Sequence, residues 1–194
     1  MPKKKSNLAG LNILVGVSGG ISAYKAVDLA SKLTAAGAKV RTVMTENACQ
    51  LIRPKSFEAV TGQPVYTSLW DTAEEYKISH VSLAEWADIV AIVPATADII
   101  GKAANGICDD LLSTTICTCW AKPVLAAPAM NEDMWNNPAV QRNVETVKKM
   151  GLELIGPEEG RLACGAEGMG RMSEPLDILE ALEKIASKIK RKKR

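Results

Sequence analysis

The chain has 194 residues, enough for one domain with a sizeable core. It is 47% hydrophobic and 24% charged, the balance of an ordinary globular protein. Its formal net charge of +2 hides an uneven spread: ten of the 24 basic residues crowd the two ends, leaving 14 against 22 acidic residues and a body near −8, which argues against a nucleic-acid module with a basic folded face.

In chain order, the N-terminal Lys3-Lys4-Lys5 run reads as part of a solvated tail over residues 1–9. Residues 11–17 then read as a buried strand ending in Ser18-Gly19-Gly20, and a helix over 21–36 closes at Gly37. Further strands are expected at 39–44, at 88–93 before Pro94, at 123–127 before Pro128 and at 152–155 before Gly156-Pro157. Helical stretches over 46–61, 97–118, 137–149 and 176–190 separate them. The stretch 64–82, with Trp70, Asp71, Glu74, Glu75 and Tyr76, breaks the alternation and reads as an excursion or lid. A second basic tail is expected over 187–194, leaving a body over 10–186.

Strands apolar on both faces, separated by helices, predict a single α/β domain. With right-handed crossovers this becomes a Rossmann-like or flavodoxin-like doubly wound parallel sheet, with helices on both faces. Aromatics make up only 4% of the chain, so the core is built from Ala, Val, Ile and Leu. Five cysteines without a secretory signal, and no apolar run long enough to span a bilayer, fit reduced thiols in the cytoplasm. Cys117-x-Cys119 is not a metal-ligand spacing and the single histidine, His80, is distant from the cysteines, so no metal site is expected.

In such sheets ligands bind beyond the carboxyl ends of the strands. Those ends are Ser18-Gly19-Gly20-Ile21-Ser22, Thr45-Glu46-Asn47-Ala48, Pro94-Ala95-Thr96-Ala97-Asp98 and Pro128-Ala129-Met130-Asn131. Small residues leading into helix N-termini suit a phosphate, so Gly19, Gly20, Ser22 and Thr96 are candidates for a phosphorylated cofactor. No dinucleotide or P-loop spacing is present, which favours a mononucleotide, and a tight turn without any ligand is the plain alternative. Asn131 offers a donor and an acceptor for a carboxylate or amide, whereas Met130, Met134 and Trp135 also read as simple packing. Near the C-terminus, Ala163-Cys164-Gly165 and Gly168-x-Gly170-Arg171-Met172 form a glycine-rich loop carrying a thiol. Such a loop can fold over a ligand and present an acid or nucleophile; a hairpin with a chance cysteine is the alternative.

These motifs, with the His80 segment and Asp109-Asp110-Leu111-Leu112, resemble the flavin-containing cysteine decarboxylases over roughly residues 11–175. Within that family the chain is most similar to the branch serving coenzyme A synthesis. The resemblance implies FMN bound at a subunit contact of a homotrimer, or of a dodecamer of such trimers. It implies cofactor contacts from Gly19, Gly20, Ile21, Ser22, Thr45, Glu46, Thr96, Ala97, Asp98, Ile99 and Ala129. It implies that His80 and Cys164 are catalytic, with Cys164 the proton donor, and that Asn131 holds the substrate carboxylate. Arg161, Leu162 and Ala163 then belong to a substrate-covering flap over about 157–175. Asp98 is a departure, since many relatives carry Asn there.

The activity implied is decarboxylation of the small molecule 4′-phosphopantothenoylcysteine to 4′-phosphopantetheine. The resemblance implies that the flavin takes a hydride from the carbon bearing the thiolate, giving a thioaldehyde whose C=S group stabilises the electron pair left by CO2 as an enethiolate, and that the reduced flavin then returns the hydride as an acid protonates carbon. A protonated thiol such as Cys164 suits the final protonation. A phosphopantothenate–cysteine ligase, fused or separate, is the expected partner; no nucleic acid and no membrane are expected. The alternatives are a peptidyl-cysteine decarboxylase of peptide-antibiotic maturation and a non-catalytic flavin-binding regulatory subunit.

Overall fold

A computed structural model of the chain describes residues 6–70 and 79–192. Its elements are β1 (Asn12–Val17), α1 (Ala23–Ala35), β2 (Lys39–Met44), α2 (Glu46–Leu51), α3 (Pro54–Thr61), β3 (Val65–Tyr66), α4 (Ser79–Trp86), β4 (Ile89–Ala95), α5 (Ala97–Asn105), α6 (Leu111–Thr118), β5 (Val124–Pro128), α7 (Glu132–Asn136), α8 (Pro138–Lys149), β6 (Glu153–Leu154), β7 (Glu158–Arg161), β8 (Glu167–Arg171) and α9 (Pro175–Lys192). Strands β1 to β6 form one sheet in the order β3-β2-β1-β4-β5-β6, with every neighbouring pair parallel. Strands β7 and β8 make a separate antiparallel hairpin.

The period-2 geometry of the strands divides the apolar residues between two cores. Ile13, Val15 and Val17 face a cluster with α1, Phe57 of α3 and the apolar stripe Ile178, Leu182 and Ile185 of α9. Leu14, Val90 and Ile92 face the opposite cluster with Leu83 of α4, Ile99 of α5, Leu112 of α6 and Val144 of α8. This is the doubly wound α/β sheet read from the alternation.

Several elements differ from the sequence-based expectation. The helix over 46–61 is two helices, because Pro54 forces Arg53 into extended backbone with φ −77° and ψ 141°. The helix over 97–118 is also two. Gly106 ends α5 in the left-handed region, and Asp110 starts α6 through a capping box with Ser113. The excursion contributes the edge strand β3 and the first residues of α4; its residues 71–78 lie outside the described residues. His80 therefore sits in the first turn of a helix and not in a connection leading directly into β4. The stretch over 152–155 forms a strand only at Glu153 and Leu154, with the Ile155 N–H donating to Ala126 O at 3.0 Å just beyond it.

The ends are less tail-like than their charge suggests. Leu8 is fully buried, and the Asn7 N–H donates to Glu183 of α9 at 2.9 Å. Helix α9 continues to Lys192, through most of the segment read as a C-terminal tail. Among the described residues no helix is long and apolar enough to cross a membrane.

Candidate active site

At the carboxyl edge of the sheet the β1 and β4 turns are drawn together by Ser18. Its buried hydroxyl donates to the Pro94 carbonyl at 2.8 Å and accepts the Thr96 N–H at 3.1 Å. Thr96 in turn caps α5, as Thr45 caps α2 by accepting the Ala48 N–H at 3.2 Å. Ser22 stands at the N-cap of α1 but makes no capping bond, and its buried hydroxyl oxygen has no partner. A buried hydroxyl without a partner is unfavourable unless a ligand supplies one. In the first turn of α1 the Ala23 N–H donates to Gly20 O and the Lys25 N–H to Ser22 O, each at 2.9 Å, so in the cradle of Gly19, Gly20 and Ser22 it is the Ser22 hydroxyl that stands open to an anion.

Across from this cradle stands Asn131, the N-cap of α7. Its Oδ1 accepts the Asp133 N–H at 2.8 Å, which commits the oxygen and leaves the Nδ2 group to donate. That Nδ2 group reaches Cys164 Sγ at 3.9 Å. Cys164 lies in the turn joining β7 to β8, which closes through Leu162 N–H to Ala166 O at 2.8 Å and Gly165 N–H to Leu162 O at 2.9 Å. The glycine-rich segment, read as a loop with a hairpin as the alternative, is thus an ordered hairpin. It is seated on the β5–α7 connection by Met130 N–H donating to Gly170 O at 3.1 Å and Met169 N–H donating to Glu132 Oε1 at 3.2 Å.

Between these elements lies a cavity of about 990 Å³. It brings together Gly19, Gly20, Ile21, Ser22, Thr45, Thr96, Asp98, Ala129, Asn131, Arg161, Leu162, Ala163 and Cys164. Four other candidates do not line it. Glu46 is exposed in the first turn of α2, Ala97 opens α5, Ile99 is buried in the core, and His80 is half-buried on α4 with its Nδ1 buried and unpartnered. The cavity adds residues that sequence reasoning gave no site role, among them Tyr24 and Lys25. Lys25 and Glu174 pair at 2.7 Å across 149 residues of chain, a contact with no local sequence signal.

Asp98 on the cavity wall is paired with Lys102 at 3.4 Å, and the same ammonium meets Asp109 and Asp110, each at 3.0 Å. Burial works against the Lys102 charge, but the bonds to Asp109 and Asp110 outweigh it, and its pKa is raised above the ordinary lysine value. The bond from Lys102 in turn lowers the Asp109 pKa. Among the described residues no group of three or more His, Cys, Asp or Glu side chains could hold a metal ion.

The family model described as Flavoprotein matches residues 1–187. The chain belongs to the Flavoprotein family. Among its curated relatives, this flavoprotein is 48% identical over 173 residues to the coenzyme A biosynthesis bifunctional protein CoaBC of Bacillus subtilis, covering 89% of this chain and 42% of the relative. It is 47% identical over 174 residues to CoaBC of Escherichia coli K12, covering 90% and 43%. It thus spans less than half the length of these relatives. Among solved structures, a cysteine-to-serine mutant of a PPC decarboxylase complexed with pantothenoylaminoethenethiol superposes with a TM-score of 0.81, at 33% identity over 90% of this chain and 97% of the other. The FMN-dependent cysteine decarboxylase SpaF superposes with a TM-score of 0.80 at 34% identity, over 93% and 99%.

Proposed function

We propose that this flavoprotein is an FMN-dependent carboxy-lyase that converts 4′-phosphopantothenoylcysteine to 4′-phosphopantetheine. The observation that carries the reading is the placement of Asn131 and Cys164 together at one wall of a cavity whose other wall is the Ser22 cradle. The names of the relatives, coenzyme A biosynthesis proteins and a PPC decarboxylase, support it.

Ser22, Gly19, Gly20 and the first turn of α1 would hold the FMN phosphate, with Thr45, Thr96, Asp98 and Ala129 along the cofactor. A bound FMN supplies reversible two-electron acceptance, which is what makes loss of CO2 beside a thiol-bearing carbon feasible. Asn131 donates through Nδ2 to the substrate carboxylate until that group leaves. The hairpin residues Arg161, Leu162 and Ala163 cover the substrate and exclude water. Cys164, carried on the same turn, delivers a proton to the carbon left after decarboxylation. His80, half-buried on α4, completes the set in a homotrimer, where α4 of one protomer borders the cavity of the next. A phosphopantothenate–cysteine ligase supplies the substrate. The likeness to the bifunctional relatives supports that pairing, since this chain matches less than half of their length.

Cys164→Ser separates the steps. The purified wild type is expected to be yellow and to release CO2 with 4′-phosphopantetheine as product. The variant is expected to release CO2 but to accumulate the oxidised enethiol, with the reduced product down by about a hundredfold or more, as for loss of a general acid. Product masses by liquid chromatography check this. Normal phosphopantetheine from the variant removes the acid role, and turnover of a peptide with a C-terminal cysteine in place of the phosphorylated substrate moves the enzyme to the peptide branch.

A further inference from the structure

Within Gly168-x-Gly170-Arg171-Met172 the one charged side chain is Arg171. Met172 is 2% exposed in the core, and Gly170 carries the carbonyl that accepts from Met130. Nothing in the proposed reaction uses Arg171. We propose that Arg171 is a positioning residue, which locks the two strands of the hairpin to each other and to α1 so that Cys164 stands opposite Asn131.

The geometry shows how. Arg171 lies across β7 at Gly160, where an added Cβ would come within 2.9 Å of Nε and 3.3 Å of Cζ. Only a residue without a side chain leaves the guanidinium this path. The guanidinium then grips Glu158 of β7 at 2.9 Å and reaches Glu174, at the approach to α9, at 3.8 Å. The same Glu174 oxygen accepts from Lys25 of α1 at 2.7 Å, and the Lys25 side chain is only 13% exposed. Two cations and two carboxylates thus form one chain from β7 through β8 to α1. Its place at the hairpin base matters, because the ladder register breaks between Glu158 and Glu159, just where Glu158 faces Arg171. Strand β8 is tied to the body by Met130 and Glu132; β7, which leads through Arg161 to the tip, is tied to β8 by Arg171. A network of this kind holds better than a lone surface pair, because each charge has its partner already placed.

This inference rests on the reading of the cavity given above. The test compares wild type with Arg171→Met and Arg171→Lys by amide hydrogen exchange, on flavin-free and flavin-loaded protein, and by product analysis. Arg171→Met is expected to speed exchange several-fold in residues 158–171 while β1, β4 and β5 stay protected. It is also expected to raise KM more than it lowers kcat, and to divert product towards the enethiol as Cys164 loses its place. Arg171→Lys, which keeps a charge for Glu158, is expected to recover part of each effect. Unchanged exchange in the hairpin, or a rise spread evenly over the sheet, overturns the proposal. If wild-type protein itself releases no CO2, the proposed reaction falls, while the exchange result still decides the role of Arg171.

Discussion

Asn131 carries two duties on one amide. Its Oδ1 caps α7 and its Nδ2 faces Cys164 and the cavity. The two duties separate by substitution. Asn131→Asp keeps an N-cap oxygen but replaces the donor by a second acceptor, so the helix is retained and a substrate carboxylate is repelled. The expected outcome is a melting temperature near wild type with KM raised by about tenfold to a hundredfold, the worth of one hydrogen bond to a charged group. Asn131→Ala is expected to lose both, with a further destabilisation of about 1 kcal/mol from the missing cap. Thermal melts and steady-state kinetics on the two variants check this, and equal KM values for Asn131→Asp and wild type refute the donor role. Asn131 was legible in the sequence because Pro128-Ala129-Met130-Asn131 ends a strand. Its pairing with Cys164, 33 residues away, was not, because that distance is set by how the hairpin folds back.

Among the elements, the β7–β8 hairpin depends on close backbone approach. Gly170 has φ +144°, and a Cβ there would run into the Met130 carbonyl oxygen. Gly170→Ala is therefore expected to lift β8 off the β5–α7 connection and to break the Met130 N–H to Gly170 O bond. A destabilisation of about 1–3 kcal/mol follows from backbone strain and overpacking together. Denaturant unfolding measures it, and a variant as stable as wild type shows that the hairpin is free to shift. The glycines announced an irregular backbone, yet they are consistent with loop and hairpin alike, so sequence reading left both open and the strand pairing decided between them. Pro54 and Gly106 were equally visible as breakers. The helix period running through them masked the breaks, because apolar spacing persists on both sides of each.

For the whole molecule, the two-sided core makes one thiol a source of alkaline instability. Cys119 is fully buried, and burial pushes its pKa up from 9.0 to about 11, with Lys122 opposing weakly. The folded state thus favours the thiol. Its contribution is complete below the unfolded pKa and is lost as pH rises from about 9 towards 11, an effect of up to roughly 3 kcal/mol. Melting temperature is expected to fall over that window in wild type, and to fall less in Cys119→Ala relative to that variant's own value at neutral pH. Parallel curves for the two proteins refute the assignment. The charge distribution also acts at this scale. The C-terminal basic run extends an amphipathic helix whose Ile178, Leu182 and Ile185 are core residues, so it begins on a packed element.

The apolar runs and the helix periods between them were enough to determine a doubly wound parallel sheet, because burial on both faces demands strands that are apolar throughout. The short motifs at the strand ends were enough to place half of the cavity wall, because ligands meet open sheets at that edge. Only the tertiary structure decided which of these residues meet. The Lys25–Glu174–Arg171–Glu158 chain, the exclusion of Ile99 and His80 from the cavity of a single chain, and the burial of Leu8 all depend on long-range packing. Local sequence records what a residue prefers; charge pairs and cavity walls are made between segments far apart in the chain, and their distances exist only once both cores have closed.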